Sequence, residues 1–583
     1  MEMVSSDNSW ILGMQMHAAP ECKAFRTRHR ADVAFIVTMG GRIIQMQSGF
    51  AMLESAYAQP NNAANIMMKN LLDLCIGVLV FFLFGYSIAY GDAYDVGCAD
   101  AGVDVSHWFI SFSYATTAAT INSGALAGRV AFFPYLLLSS VMTGLVYPVS
   151  ARLVWGDGWL AQIGFVDFAG SATVHLVGAV SALVSTCLVG PRIGRFAEYR
   201  AWRKPWAWLV AEKHDDKYYR VPEDPVEKKV HVPFRRCRHP VQLLFGTFLL
   251  LVGFLAFNPA STLSTTNGQD LVVAHASATT LLAAAGAGIG GMLFSMVRTR
   301  SSVVRVPELT NALIGGLVAS CACCSVIPLS VAPLVGCVAA LLTLLVEELL
   351  VALQVDDAVG AVAAHGPSGV WGVLCVSLFS DEFCGGNSTF KGIFFGGGKA
   401  AWEHLGVQML GALVLSTLAF FSTYVVVMLT DCVFGFRCSR ACELIGLDFW
   451  EHHFDDGSLH TNRDKAKLWE LSQMRLDLSR RTTSLDNLVP QKWCRRHRTR
   501  GKDASEATTA SETPRTPRTP RSPQAEILVQ EAQSTVFQLE AKVADLEQKL
   551  SLLALGMMRD GQTSSTDVCG TRKMTSEDSK EEL

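Results

Sequence analysis

Two histidines stand in matched surroundings. Asp167-Phe168-Ala169-Gly170-Ser171 is followed by His175 and Gly178, and Asp357-Ala358-Val359-Gly360-Ala361 by His365 and Gly369. Aspartate to glycine is three residues and aspartate to histidine eight in both copies. Eight residues is a little over two helical turns, so each imidazole lies about 12 Å deeper along its helix than its aspartate. A neutral imidazole donates one hydrogen bond and accepts another. A pair of them can hand hydrogen bonds, or a proton, to a small polar solute. A histidine between apolar helices can also serve as packing glue. Recurrence of the whole motif favours a path, because ionisable groups at that depth are costly and ordinarily line one. Asp167 and Asp357 fall at helix starts, where a carboxylate caps free N–H groups, and a structural role is expected for both.

Other signals carry less. Cys321, Cys323 and Cys324 have no histidine nearby and lie in an apolar run, so no metal site is expected. Gly286-Ala287-Gly288-Ile289-Gly290-Gly291 fits G-x-G-x-x-G but lies inside an apolar span, where close helix packing is the better reading. The glycines before Lys399 do not space as a phosphate loop. No cofactor and no enzymatic activity are expected.

The elements that must position the histidines follow from charge. The chain has 583 residues, 50% hydrophobic and 17% charged, against roughly 25% charged in soluble proteins. Of its 101 charged residues, 46 lie in 435–583 and 20 in 190–238, leaving 35 in the other 385 positions. So few charges cannot cover a soluble surface of that size. The reading is an all-α polytopic membrane protein with polar appendages. A net charge of −3 gives no reason to expect nucleic acid. Eleven apolar runs are long enough to span: roughly 33–54, 69–91, 108–127, 130–153, 169–189, 240–258, 271–296, 309–326, 328–350, 362–380 and 407–433. Lys and Arg concentrate in alternate connections, 13 of them in 190–238, while 92–107, 155–168 and 259–270 contain none. This puts the N-terminus outside and the long tail in the cytosol. Lys23, Arg26, Arg28 and Arg30 on the outer side, and Arg152 near an outer helix end, run against that bias. The Asn387-Ser388-Thr389 sequon falls in an outer loop, in agreement with it. One histidine motif opens span five and the other span ten. Five spans per unit is odd, so the second unit enters from the opposite side. That is an inverted repeat, two five-helix units plus a final helix.

The residues that carry this pattern resemble the ammonium transporter (Amt/Mep/Rh) family, closest to its Amt branch. They are Gly49-Phe50-Ala51-Met52-Leu53-Glu54-Ser55 and Asn65-Ile66-Met67-Met68-Lys69-Asn70. Phe84-Gly85-Tyr86-Ser87, Ser123-Gly124-Ala125-Leu126-Ala127 and Asp167 to His175 follow. Last come Phe257-Asn258-Pro259, Asp356-Asp357 to His365-Gly366, and Gly446-Leu447-Asp448. The likeness covers about 33–456. It implies a homotrimer in the plasma membrane with one narrow pore per protomer. His175 and His365 match the family's twin pore histidines, Trp155 and Ser261 its outer recruitment site, and Phe257 one of two gate aromatics. Tyr114 falls where the other gate residue is normally Phe. Gly446, Asp448 and His452 match a tail motif that couples protomers. The resemblance implies that ammonium, with methylammonium as analogue, is recruited by the π face of Trp155 and the hydroxyl of Ser261. It is then deprotonated, and ammonia is conducted past the imidazoles, because moving the intact ion through an apolar pore would cost far more. A sensor or a gas channel of the same fold are the alternatives; a gas channel needs no cation site.

Several positions depart from the family pattern. Besides Tyr114, Gln59-Pro60-Asn61-Asn62 replaces a basic run after span one, Gly128 replaces a Glu before Arg129, and Arg42 lies within span one. The domain reading is an extracellular segment 1–32 and a membrane domain 33–434 containing the cytosolic loop 190–238. A coupling tail 435–500, a Thr/Ser-Pro linker 501–525, a coiled coil 526–555 and a disordered end 556–583 complete it. In the loop, Trp202, Trp206 and Trp208 lie among basic residues, which suits either an anionic lipid surface or plain solvation. Thr513, Thr516, Thr519 and Ser522, each before proline and near arginine, suit a proline-directed kinase. Val529, Val536, Val543 and Leu550 at a positions, with Ala532, Leu539, Leu546 and Leu553 at d, make the heptads.

Overall fold

The structure, a computed structural model of the chain, describes residues 30–59, 61–91, 105–196, 237–382, 390–439, 442–443 and 446–452. The chain divides into two compact units, Met1–Arg481 and Thr482–Leu583, and every described residue lies in the first. The segment 1–29, loop positions 197–236 with their tryptophans, the Asn387 sequon, the Thr/Ser-Pro linker, the heptads and the C-terminal end lie outside the described residues.

Described regular structure is helical: α1 Arg30–Tyr57, α2 Ala63–Tyr90, α3 Val105–Leu126, α4 (132–154), α5 Ser171–Val189, α6 Pro240–Ala260, α7 Gln269–Thr299, α8 Val306–Cys323, α9 Ala332–Ala352, α10 Ala361–Phe379, α11 Gly398–Phe434 and the short α12 Leu447–His452. Among the described residues, nine helices are long and apolar enough to cross a membrane. α1 and α3, at 28 and 22 residues, are as long but carry more polar groups. The surface is inverted relative to a soluble protein. Leu413, Phe421, Phe248 and Leu79 are more than three-fifths exposed, whereas Asn258, Thr280 and Ser320 are wholly buried and bonded to one another. Apolar surface on that scale belongs in lipid, and the chain is a multi-pass integral membrane protein.

Helix ends match the apolar runs to within a few residues, except at the starts of α2, which begins at Ala63 and not near 69, and of α11. That helix starts at Gly398, not near 407. Its first turns are polar, with Lys399 paired to Glu403 at 3.1 Å, so an apolar window passes over them. The G-x-G-x-x-G glycines are packing positions in α7: a Cβ on Gly286 would lie 2.1 Å from the Pro333 carbonyl oxygen of α9. Arg42 sits on an exposed face of α1. α1 packs against α3 and α6, α3 against α5, α6 and α10 against α8, and α7 against α9.

At the end of the bundle where the tail docks, the 353–360 connection is fixed by charge. Asp356 accepts from Arg192 Nε and Nη2, both at 2.8 Å, and from Arg195 Nε at 3.2 Å. Arg129 Nη2 donates to the Asp356 carbonyl at 2.7 Å. Burial alone would raise the Asp356 pKa, but the guanidiniums of Arg192, Arg129 and Arg195 outweigh it and hold the carboxyl well below the usual range. The neighbouring Asp357 lacks such partners, and burial pushes it up to about 6.

Candidate functional site

Each histidine is positioned by its helix start. Gly170 and Gly360 have φ of +94° and +84°, the left-handed geometry that lets the chain turn abruptly into a helix. Asp167 accepts from the N–H groups of Gly170, Ala172 and Thr173 at 2.8–3.0 Å and from the Thr173 hydroxyl at 2.8 Å. Asp357 accepts from Gly360, Ala361 and Ala363 at 3.0–3.2 Å. Both carboxylates therefore satisfy donors that a helix start leaves unpaired. His175 lies in a π-helical turn, Ser171–Leu176, which re-aims its ring; His365 lies in regular α-helix.

The two rings meet. Their Nδ1 atoms are 3.2 Å apart and their planes are 24° from parallel at a centroid distance of 5.1 Å. One Nδ1 must donate and the other accept, so the pair's tautomers are linked. Among the described residues, none bonds the buried His175 Nε2. A buried polar atom left unpaired costs free energy, and a passing solute with N–H groups or a lone pair would satisfy it.

Aromatic rings flank the pair and continue the line from it. Phe254 and Phe257 each lie 5.4 Å from His175, and Phe50 lies 6.4 Å from His365. Tyr114 meets Phe257 edge to face at 4.6 Å and sits 5.9 Å from Trp155. The Tyr114 hydroxyl is 3.0 Å from Ser261 Oγ and donates to the Phe257 carbonyl at 3.3 Å. The Trp155 indole N–H donates to the Asp167 carbonyl at 2.8 Å, which fixes its ring beside Tyr114. Trp155, Ser261, Tyr114, Phe257, His175 and His365 therefore form one file, all buried. The hydroxyl that a Phe would lack is bonded directly to the residue matched to recruitment.

The tail residues are brought together elsewhere, at the opposite end of the bundle. Gly446, at φ +112°, is packed so closely on Asn61 that a Cβ would lie 2.4 Å from the Asn61 Cβ. Asp448 accepts from the first free N–H groups of α2, Ala64 at 3.1 Å and Asn65 at 2.6 Å. Asn65 bonds Glu451 at 2.7 Å and contacts His452 Nε2 at 3.0 Å, while Glu451 also accepts from the Phe132 N–H that begins α4. The tail thus caps two helices of its own chain. Replacing Asp448 with Ala is expected to cost about 1–2 kcal/mol, read as a lower melting temperature of the intact chain in detergent, with Asn substitution keeping most of it.

Sequence reasoning gave no role to Glu54, although it lies in a quoted stretch. Its signal is a carboxylate within a span. The Asp356 cluster has no sequence signal either, since Arg192 and Arg195 read as part of the basic 190–238 loop and Arg129 lies 227 residues from Asp356.

Residues 34–206 and 232–456 match the model of the Ammonium Transporter Family. The ammonium transporter Amt2 of Archaeoglobus fulgidus is 31% identical over 447 residues, covering 72% of this chain and 87% of that protein. Ammonium transporter 1 member 1 of Arabidopsis thaliana is 31% identical over 453 residues, covering 70% and 83%. Among solved structures, a sensor Amt protein superposes with a TM-score of 0.59 at 26% identity over 72% of this chain and 98% of that one. Mep2 of Candida albicans shares the fold, with a TM-score of 0.57 at 24% identity over 70% and 87%. With most of its length matched, from the first helix to the docked tail, this chain belongs to the ammonium transporter family.

Proposed function

We propose that the chain carries ammonium across the plasma membrane as an eleven-span protomer of a homotrimer. Its N-terminus faces outside and its tail the cytosol, and its membrane domain is two inverted five-helix units plus α11. The matched Asp-to-His motifs and the parallel pairings α3 with α5 and α8 with α10 support the repeat. The observation that carries the function is the single buried file from Trp155 and Ser261 through Tyr114 and Phe257 to the paired imidazoles.

Trp155 supplies a π face and Ser261 an acceptor for a small cationic donor. Beyond Phe257 the file offers few acceptors, so the ion gives up its proton before entry and neutral ammonia moves on. His175 and His365 then exchange hydrogen bonds with it one at a time. The tail motif Gly446, Asp448 and His452 couples protomers, and a kinase acting at Thr513, Thr516, Thr519 or Ser522 would regulate it. Likeness to a solved sensor Amt protein favours a second reading, an ammonium sensor of the same fold. Expression in transporter-null cells decides: growth on limiting ammonium and uptake of methylammonium are expected. Altered signalling without uptake would support the sensor, and gas flux without a cation dependence would support a gas channel.

A further inference from the structure

Beyond His365 the file opens into a cavity lined by Phe50, Thr120, Asn311 and His365, and by one carboxylate, Glu54. Glu54 is 2% exposed and also lines a second cavity with Lys69, Ser123 and Tyr135, on the side where Lys69 Nζ bonds the Val130 carbonyl at 2.7 Å beneath the docked tail. Its carboxylate accepts from the Ser123 hydroxyl and, at 2.9 Å, from Asn70 Nδ2. The groups facing it are Lys69 from α2, Ser123 from α3, Tyr135 from α4 and His365 from α10. Asp73, one turn beyond Lys69 and Asn70, is turned to Thr120 at 3.0 Å. Among the described residues, Glu54 is therefore the ionisable group shared by the two cavities that lead from the histidine pair to the tail side.

We propose that the cavity between His365 and Glu54 is where ammonia regains its proton. The Glu54 carboxylic acid gives its proton to the nitrogen lone pair, leaving a carboxylate and ammonium, and the carboxylate holds the new cation until it leaves. A proton taken through the second cavity from water on the tail side, where the hydroxide stays, then restores the Glu54 carboxylic acid, so no net change remains on the protein. A carboxyl in a dry site suits this exchange because it can be neutral while ammonia arrives and charged while ammonium departs. Glu54 is thus both proton donor and second cation site, at the opposite end of the file from Trp155.

This rests on the transport reading above, and the test separates the two. The purified full chain is reconstituted in liposomes and methylammonium uptake is followed while the pH on the tail side alone is varied. Wild type is expected to follow a single ionisation. Glu54→Gln is expected to lose uptake at least fivefold at neutral pH and to lose the pH dependence. Glu54→Asp should keep the dependence with a shifted midpoint, and Ser123→Ala, which removes a donor but leaves the carboxyl, should shift it too. Homogeneous elution in detergent checks folding, and if Glu54→Gln fails there, the Asp and Ala variants decide alone. A wild-type profile in Glu54→Gln, equal losses in Gln and Asp variants with unaltered profiles, or a flat wild-type profile would overturn the inference. If His365→Ala abolishes uptake while Glu54→Gln matches wild type, only the inference falls. If the wild-type chain moves no methylammonium, the transport reading falls first.

Discussion

Alanine at His365 is expected to cut methylammonium uptake about 10–100-fold with the protein still in the membrane. The size follows from the surroundings. His365 is 3% exposed and His175 wholly buried, and each is walled by phenylalanine. A hydrogen bond not made in such a site costs ~1–3 kcal/mol, and every 1.4 kcal/mol on a barrier is about tenfold in rate. His175→Ala should do the same. Because the two Nδ1 atoms share one contact, the double variant should be little worse than either single one, the non-additivity expected of groups that act as a unit. Uptake in transporter-null cells, normalised to the amount of protein at the membrane, is the measurement. An unchanged rate in His365→Ala would remove the imidazoles from the mechanism.

The histidines were legible from sequence because their chemistry and their positioning are both local. An aspartate, a glycine and a histidine at fixed spacing are enough to specify a capped helix start and the depth of the ring. The helices were legible because lipid demands long apolar runs, and where α11 opens with polar turns the run understated it. An inverted repeat already brings the two rings toward each other near the membrane centre; their 3.2 Å contact depends on how α5 and α10 cross and on the π-helical turn at His175. The Tyr114 hydroxyl is less legible, its partner Ser261 being 147 residues away, and so is Glu54, whose meaning comes from cavities formed by six helices. Charged residues were the least legible: as a topology signal Arg129 reads only as basic, whereas its guanidinium is wholly buried against the Asp356 backbone.

That cluster carries the second large effect. Asp356→Ala is expected to destabilise the membrane domain by about 3–5 kcal/mol, the usual cost of leaving buried charge without its partner. Three guanidiniums converge on one carboxylate, with side chains 0%, 6% and 14% exposed for Arg129, Arg192 and Arg195. Remove the carboxylate and their mutual repulsion loses its main counterweight, while Arg192 also loses its two-point grip and its backbone N–H loses an acceptor at 2.9 Å. Asp356→Asn should cost nearly as much, since it keeps the shape and not the charge. Arg195→Ala should cost far less, since it is the most exposed of the three and the Arg192 pair survives it. The pH dependence has a definite sign. A carboxyl held below its ordinary range in the folded state stabilises the fold above about pH 3.9, its unfolded value. That contribution is lost as pH falls toward the folded pKa. Thermal melting of the purified chain in detergent between pH 3 and 7 reads both effects. Wild type should lose stability toward the acid end by a component missing from Asp356→Asn. Equal melting temperatures for wild type and Asp356→Ala at pH 7 would mean that the arginines find other partners, and that the connection before α10 is held by its backbone alone.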